Sequence, residues 1–169
     1  TVSFILQHGE AKLLLVDKEF GPLAEAALAT MEAPPAVVHI DDPQCDVGHL
    51  LGSCSYQDLL DQGDAAELGV DSSDHLPADE WDAIALNYTS GTTGNPKGVM
   101  LSHGGILSNC EGAQEILNQL VQNSEPTFLT WLPLSHSYEH AVQFVQISLG
   151  AKIYYAESLE KLLSNMSIA

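Results

Sequence analysis

Apolar positions along this chain come in short blocks whose spacing switches between helix and strand. Val2, Phe4, Ile5 and Leu6 fit a helix, and the run Ala-Lys-Leu-Leu-Leu-Val at 11–16 fits a buried strand. Residues 22–30 are alanine-rich and helical in pattern, ending before Pro34-Pro35, because a residue ahead of proline is driven out of the helical region. Residues 37–40 suit a short strand. Residues 41–80 are acidic and rich in turn formers, which predicts a loop-like segment with one helical turn at 56–60.

The second half repeats the alternation more clearly. Residues 82–87 and 99–101 read as strands. Ser102 is placed to cap a helix in which Ile106, Cys110, Ala113, Leu117 and Leu120 make one apolar face. A strand at 127–132, a helix at 135–149 ended by Gly150, and a strand at 151–155 complete a β-α-β succession. The fold class this predicts is α/β, a parallel-rich sheet with helices packed on it. No internal repeat is visible.

Composition narrows the function classes. Hydrophobic residues make up 45% of the 169 positions, and no apolar run reaches membrane-spanning length. With no basic-then-apolar leader at the start, a cytoplasmic location is expected. Three irregularly spaced cysteines argue against a disulfide framework. The net charge is −18, from 23 acidic residues, five lysines and no arginine. Clustered cations are absent, so a nucleic-acid partner is excluded. Seventeen of the 23 acidic residues fall in 1–82, which reads as a solvated, self-repelling face. Without arginine, these residues cannot supply a bidentate phosphate clamp.

The densest chemistry lies between the strands at 82–87 and 99–101. Tyr88-Thr89-Ser90-Gly91-Thr92-Thr93-Gly94-Asn95-Pro96-Lys97-Gly98-Val99 packs hydroxyls and glycines ahead of a single lysine. Gly91 and Gly94 allow close backbone approach to an anion. Successive exposed N–H groups form an anion-binding nest. Thr89, Ser90, Thr92 and Thr93 add hydroxyl donors, and Lys97 adds a point charge. A Walker A loop would need Gly-Lys-Ser/Thr opening a helix, whereas Pro96 precedes this lysine and Gly98 follows it.

That run resembles the signature phosphate loop of the AMP-forming adenylating enzymes, which include acyl-CoA synthetases, luciferases and peptide-synthetase adenylation domains. Downstream, Trp131-Leu132-Pro133-Leu134-Ser135-His136-Ser137-Tyr138-Glu139 is similar to the family's Leu-Pro-Leu-x-His segment. The aromatic-Glu pair after the histidine is like that of its long-chain acyl-CoA synthetases. The resemblance implies a two-step reaction. A carboxylate attacks the α-phosphorus of ATP to give acyl-AMP and pyrophosphate, and coenzyme A then takes the acyl group. Thr89, Ser90, Gly91, Thr92, Thr93, Gly94 and Lys97 would hold the β- and γ-phosphates, with Mg²⁺ sharing the charge. Lys97 and His136 are the implied catalytic pair, His136 lining the pocket of a small carboxylic acid, expected to be a fatty acid.

The family's enzymes are several times longer than 169 residues. Their Tyr-Gly-x-Thr-Glu segment, ribose-binding aspartate and C-terminal lysine are not found here. Residues 1–169 are therefore expected to be one partial N-terminal domain, with the loop at 88–99, inactive apart from the remainder of the enzyme. The similarity is also uneven. Leu76-Pro77-Ala78-Asp79-Glu80-Trp81-Asp82 looks like the short- and medium-chain or aromatic-acid branch, and Val99-Met100-Leu101-Ser102-His103 onward looks like the long-chain branch. A mosaic with its seam at the loop is expected.

Other readings stay beside this one. The chain could be a non-catalytic nucleotide- or phosphate-binding module that keeps only the loop. His136-Ser137-Tyr138-Glu139-His140 fits the His-x-x-Glu-His pattern of inverted zinc peptidases, although His136 as a plain helix cap explains it with less. Cys45, His49 and Cys54 lack the spacing of a zinc site. His103, at a helix start near the loop, would touch a phosphate or sit only as a terminal residue. Asn87-Tyr88-Thr89 is a glycosylation sequon in a strand expected to be buried, and carries no weight.

Overall fold

The computed structural model describes residues 1–64, 76–90, 94–120, 126–156 and 158–167. They divide into two compact units, Thr1–Leu76 with Ser90–Pro96, and Pro77–Thr89 with Lys97–Ala169.

The first unit runs α1 (Val2–His8), β1 (Leu13–Asp17), a 3-10 turn (Lys18–Phe20), α2 (Gly21–Leu28), β2 (Ala36–Ile40), β3 (Cys54–Ser55) and α3 (Tyr56–Asp61). β1 pairs in parallel with β2, from Leu13 opposite Ala36 to Asp17 opposite Ile40, and β2 pairs in parallel with β3. Val16, Ala24 and Val38 are buried between the strands and α2. The Asp17 carboxylate accepts the Glu19 N–H at 2.9 Å and starts the 3-10 turn. Within 41–80, the helical turn predicted at 56–60 is α3. β3 is an addition, because two residues carry no alternation that a sequence pattern could reveal. Residues 65–75 of that segment lie outside the described residues.

The second unit runs β4 (Ala83–Thr89), β5 (Lys97–Ser102), α4 (His103–Leu120), β6 (Thr127–Thr130), α5 (Ser137–Ser148), β7 (Lys152–Tyr155) and α6 (Leu162–Met166). β6 and β7 are parallel, with α5 as their crossover, as the succession predicts. The α4 stripe is as predicted at Ile106, Cys110, Ala113 and Leu117, and the Leu120 side chain lies outside the described residues. Ile106 and Cys110 are buried against Val145 of α5, with Ala113, Leu117, Phe144 and Leu149 around them. Under the β6–β7 pair, Thr130 and Gln146 are almost fully buried and hydrogen-bond each other at 3.2 Å.

The expectation of parallel pairing fails at one place. β4 and β5 are antiparallel, with Tyr88 opposite Gly98 and Thr89 opposite Lys97. The connection between them, residues 90–96, is far shorter than the roughly twelve residues a parallel crossover needs, so only a hairpin can close. β5 also begins at Lys97, ahead of the predicted start at residue 99. Among the described residues, no helix is long and apolar enough to cross a membrane.

Candidate functional site: a phosphate loop, a capping histidine and a cavity

Hairpin pairing sets the base of the loop. Thr89 is the last residue of β4 and Lys97 the first of β5, and they face each other across the ladder. Thr89, Ser90 and Lys97 are exposed. The Lys97 ammonium makes no hydrogen bond or ion pair with a described residue. Gly94 adopts φ +118°, a conformation that disfavours side chains, and nothing lies within 4 Å of where a Cβ would stand. The Thr89 hydroxyl and the Lys97 ammonium, opposite each other on the ladder, are donors of the kind that suits a phosphate. Gly91, Thr92 and Thr93 lie outside the described residues. No carboxylate occurs in the 88–99 run, so the loop offers no anionic ligand set for Mg²⁺.

The start of α4 is fixed by the turn before β4. Ser102 Oγ accepts the Gly105 N–H at 3.1 Å, as a cap should. The His103 N–H donates to the Asp82 carbonyl, and the Gly104 N–H to the Glu80 carbonyl at 2.6 Å. A Cβ on Gly104 would stand 3.3 Å from that Glu80 oxygen, so glycine permits the close approach. The Asp79 carboxylate accepts the Trp81 N–H and shapes the same turn.

His136 is the N-cap of α5. Its Nδ1 accepts the Tyr138 N–H at 3.2 Å, and its carbonyl accepts the His140 N–H at 3.0 Å. Accepting through Nδ1 puts the ring proton on Nε2, which leaves His136 exposed with one outward donor. His136, Glu139 and His140 do not converge as metal ligands. Among the described residues, the only group of three candidate ligands within 4.8 Å is Asp17, Glu19 and Cys45, in the first unit. There the Asp17 carboxylate is a turn cap and the Cys45 thiol donates to the Val47 carbonyl. His49 lies 3.3 Å from the Glu25 carboxylate, away from any cysteine pair.

A cavity of about 540 Å³ opens between the first turns of α4 and α5, under the end of β5. Its walls include Ser102, Ile106 and Asn109 on one side and Ser137, Tyr138 and His140 on the other. Neither Lys97 nor His136 lines it. The sequence reading missed this space. Its only signal was the i, i+4 spacing of Ser102 and Ile106, which also describes an ordinary helix start.

These features define an α/β protein with a glycine- and hydroxyl-rich loop joining a β-hairpin and a helix started by a histidine cap. Residues 1–167 match the family described as AMP-binding enzyme, and the chain belongs to that family. Among curated relatives, an acetate–CoA ligase of Humulus lupulus is 40% identical over 148 residues, which cover 80% of this chain and 25% of the relative. A peroxisomal acetate/butyrate–CoA ligase of Arabidopsis thaliana is 40% identical over 150 residues, again 80% and 25%. This chain thus spans about a quarter of the length of the curated relatives it matches. Among solved structures, a red-emitting luciferase of Phrixothrix hirtus superposes with a TM-score of 0.70 at 20% identity, over 99% of this chain and 31% of that one. ATP-bound MatB of Rhodopseudomonas palustris gives 0.63 at 22% identity, over 99% and 30%. The fold is that of a part of an adenylate-forming N-terminal domain.

Proposed function

We propose that this segment is part of an AMP-forming acyl-CoA synthetase. It would supply the phosphate loop and one wall of the acid pocket. The observation that carries the reading is the exposed Lys97, unpartnered among the described residues, at the base of the loop opposite Thr89, in a chain of the AMP-binding family. In this reading, Thr89, Ser90 and Lys97 bind the β- and γ-phosphates of ATP. These donors offset the charge that builds on departing pyrophosphate when a carboxylate attacks the α-phosphorus. The Nε2–H of His136 is a donor for a carboxylate oxygen. The cavity between α4 and α5 holds the acyl group. The acetate and butyrate named for the relatives favour a short acid over a long-chain one. Coenzyme A as acceptor rests on those names alone. The compartment is left to the full-length protein, since the Arabidopsis relative is named peroxisomal.

The experiment is ATP–pyrophosphate exchange by the full-length protein with acids from acetate to palmitate. Exchange that depends on a carboxylate is expected. ATP binding without exchange would favour a non-catalytic nucleotide-binding module. The segment 1–169 by itself is expected to trap no acyl-AMP as hydroxamate, because adenylation needs groups held on both sides of the substrate. The proposed mosaic is tested by comparing residues 1–97 and 99–169 separately with family members. One shared nearest relative would remove it.

A further inference from the structure

Direct partners in an antiparallel ladder project from one face, and so do residues two apart along a strand. One face of the β4–β5 ladder therefore carries Thr89 with Lys97 on its last rung, then Asn87 with Val99. Further along, that face is apolar. Ala85 lies opposite Leu101, which packs against the cluster of Ile106, Cys110 and Val145. Asparagine is disfavoured inside strands, and an apolar residue at 87 would continue the pattern.

The Asn87 Nδ2 is buried and has no hydrogen-bond partner. Val99, across the ladder, offers only hydrocarbon. The Asn87 Oδ1 makes no hydrogen bond with a described residue and is not among the buried unpaired atoms, so that end of the amide meets solvent. A buried N–H without an acceptor is unfavourable, and folding alone would be served better by hydrocarbon here. A half-turn about the last side-chain bond brings the two N–H donors outward and breaks no hydrogen bond. They then project from the same face as the Thr89 hydroxyl and the Lys97 ammonium, about 7 Å along the strand. Three donor groups on one face, with no carboxylate among them, suit an anion long enough to span two rungs. We propose that Asn87 is a further polyphosphate-binding residue, turning its amide outward to donate to the β- or γ-phosphate of ATP. This rests on the reading that the Thr89–Lys97 rung holds those phosphates.

The test is calorimetric binding of ATP and of AMP to the full-length protein, as wild type, Lys97→Ala and Asn87→Leu. Leucine keeps the approximate size of the side chain and removes the amide. Asn87→Leu is expected to weaken ATP by about tenfold, the loss of one hydrogen bond to a charged acceptor, and to leave AMP binding unchanged. Its Tm without nucleotide should equal or exceed that of wild type, because an unpaired buried donor has been removed. A purely structural amide gives another result, a lower Tm with ATP and AMP weakened together. That result, or unchanged ATP binding in Asn87→Leu, overturns the proposal. If Asn87→Leu does not fold, Asn87→Asp keeps the shape and replaces the donors with a negative charge. It is expected to weaken ATP by more than tenfold and spare AMP, and unchanged ATP binding again overturns the proposal. Lys97→Ala separates the two levels of the argument. Normal ATP binding by Lys97→Ala removes the phosphate site from this rung and Asn87 with it. ATP weakened by Lys97→Ala but not by either Asn87 variant confines the failure to Asn87.

Discussion

Thr89 and Lys97 are cross-strand partners, so the last rung of the β4–β5 ladder presents a hydroxyl and an ammonium side by side, at the foot of the proposed phosphate loop. The ladder fixes the backbone at both ends of the run, and the lysine is not tied up by a described acid. Lys97→Ala in the full-length protein is expected to reduce ATP–pyrophosphate exchange by about 10- to 100-fold, the loss of one charged phosphate contact of roughly 1.5–3 kcal/mol. Folding should be unaffected, because Lys97 is exposed. Unchanged exchange would remove it from the site.

His136 has two separable jobs. As the N-cap of α5 it holds the Tyr138 N–H. Its Nε2 has no partner among the described residues and is the atom proposed to meet the substrate. His136→Ala should cost about 0.5–2 kcal/mol of stability together with activity, whereas His136→Asn should restore the cap and leave activity low. Chemical denaturation alongside exchange kinetics separates the two. If His136→Asn recovers both, the histidine is only a cap. Metal analysis of the same samples is expected to give no stoichiometric zinc.

The Thr130–Gln146 pair is a buried polar contact that must be kept or removed whole. Thr130→Val should destabilise by about 1–3 kcal/mol, because the Gln146 amide then has no partner. Adding Gln146→Met in the same protein should recover most of that loss. A double variant no better than the single one would show that the pair is not the source of the cost.

Ser55 and Asp58 form a reciprocal capping box at the start of α3, with Ser55 Oγ donating to the Asp58 carboxylate at 2.7 Å. The Ser55 hydroxyl first, and then its backbone N–H, hold the Asp58 carboxyl below its ordinary value. A depressed folded-state value means the contribution is present above the unfolded pKa and is lost as pH falls through the folded one. Ser55→Ala should therefore lower Tm at neutral pH, raise the Asp58 titration midpoint seen by NMR, and show a narrowing gap to wild type in acid. A gap that stays constant with pH would separate the cap from the ionisation.

The sequence determined what depends on neighbours along the chain. The apolar face of α4, the Ser102 cap and the β-α-β succession from 127 to 155 were all legible. Each rests on local spacing and on which residues tolerate a turn. Only tertiary structure decided the rest. The antiparallel pairing that sets Lys97 opposite Thr89 depends on which strand edges meet. The two-residue β3 exists because β2 offers it a partner. His136 could be read as a zinc ligand, a pocket residue or a cap, and that it caps α5 was decided only by where that helix begins. Glu139, in the first turn of α5, is buried, which its place in the sequence does not reveal. Burial is a property of what packs on a residue from elsewhere in the chain, and no local pattern contains it.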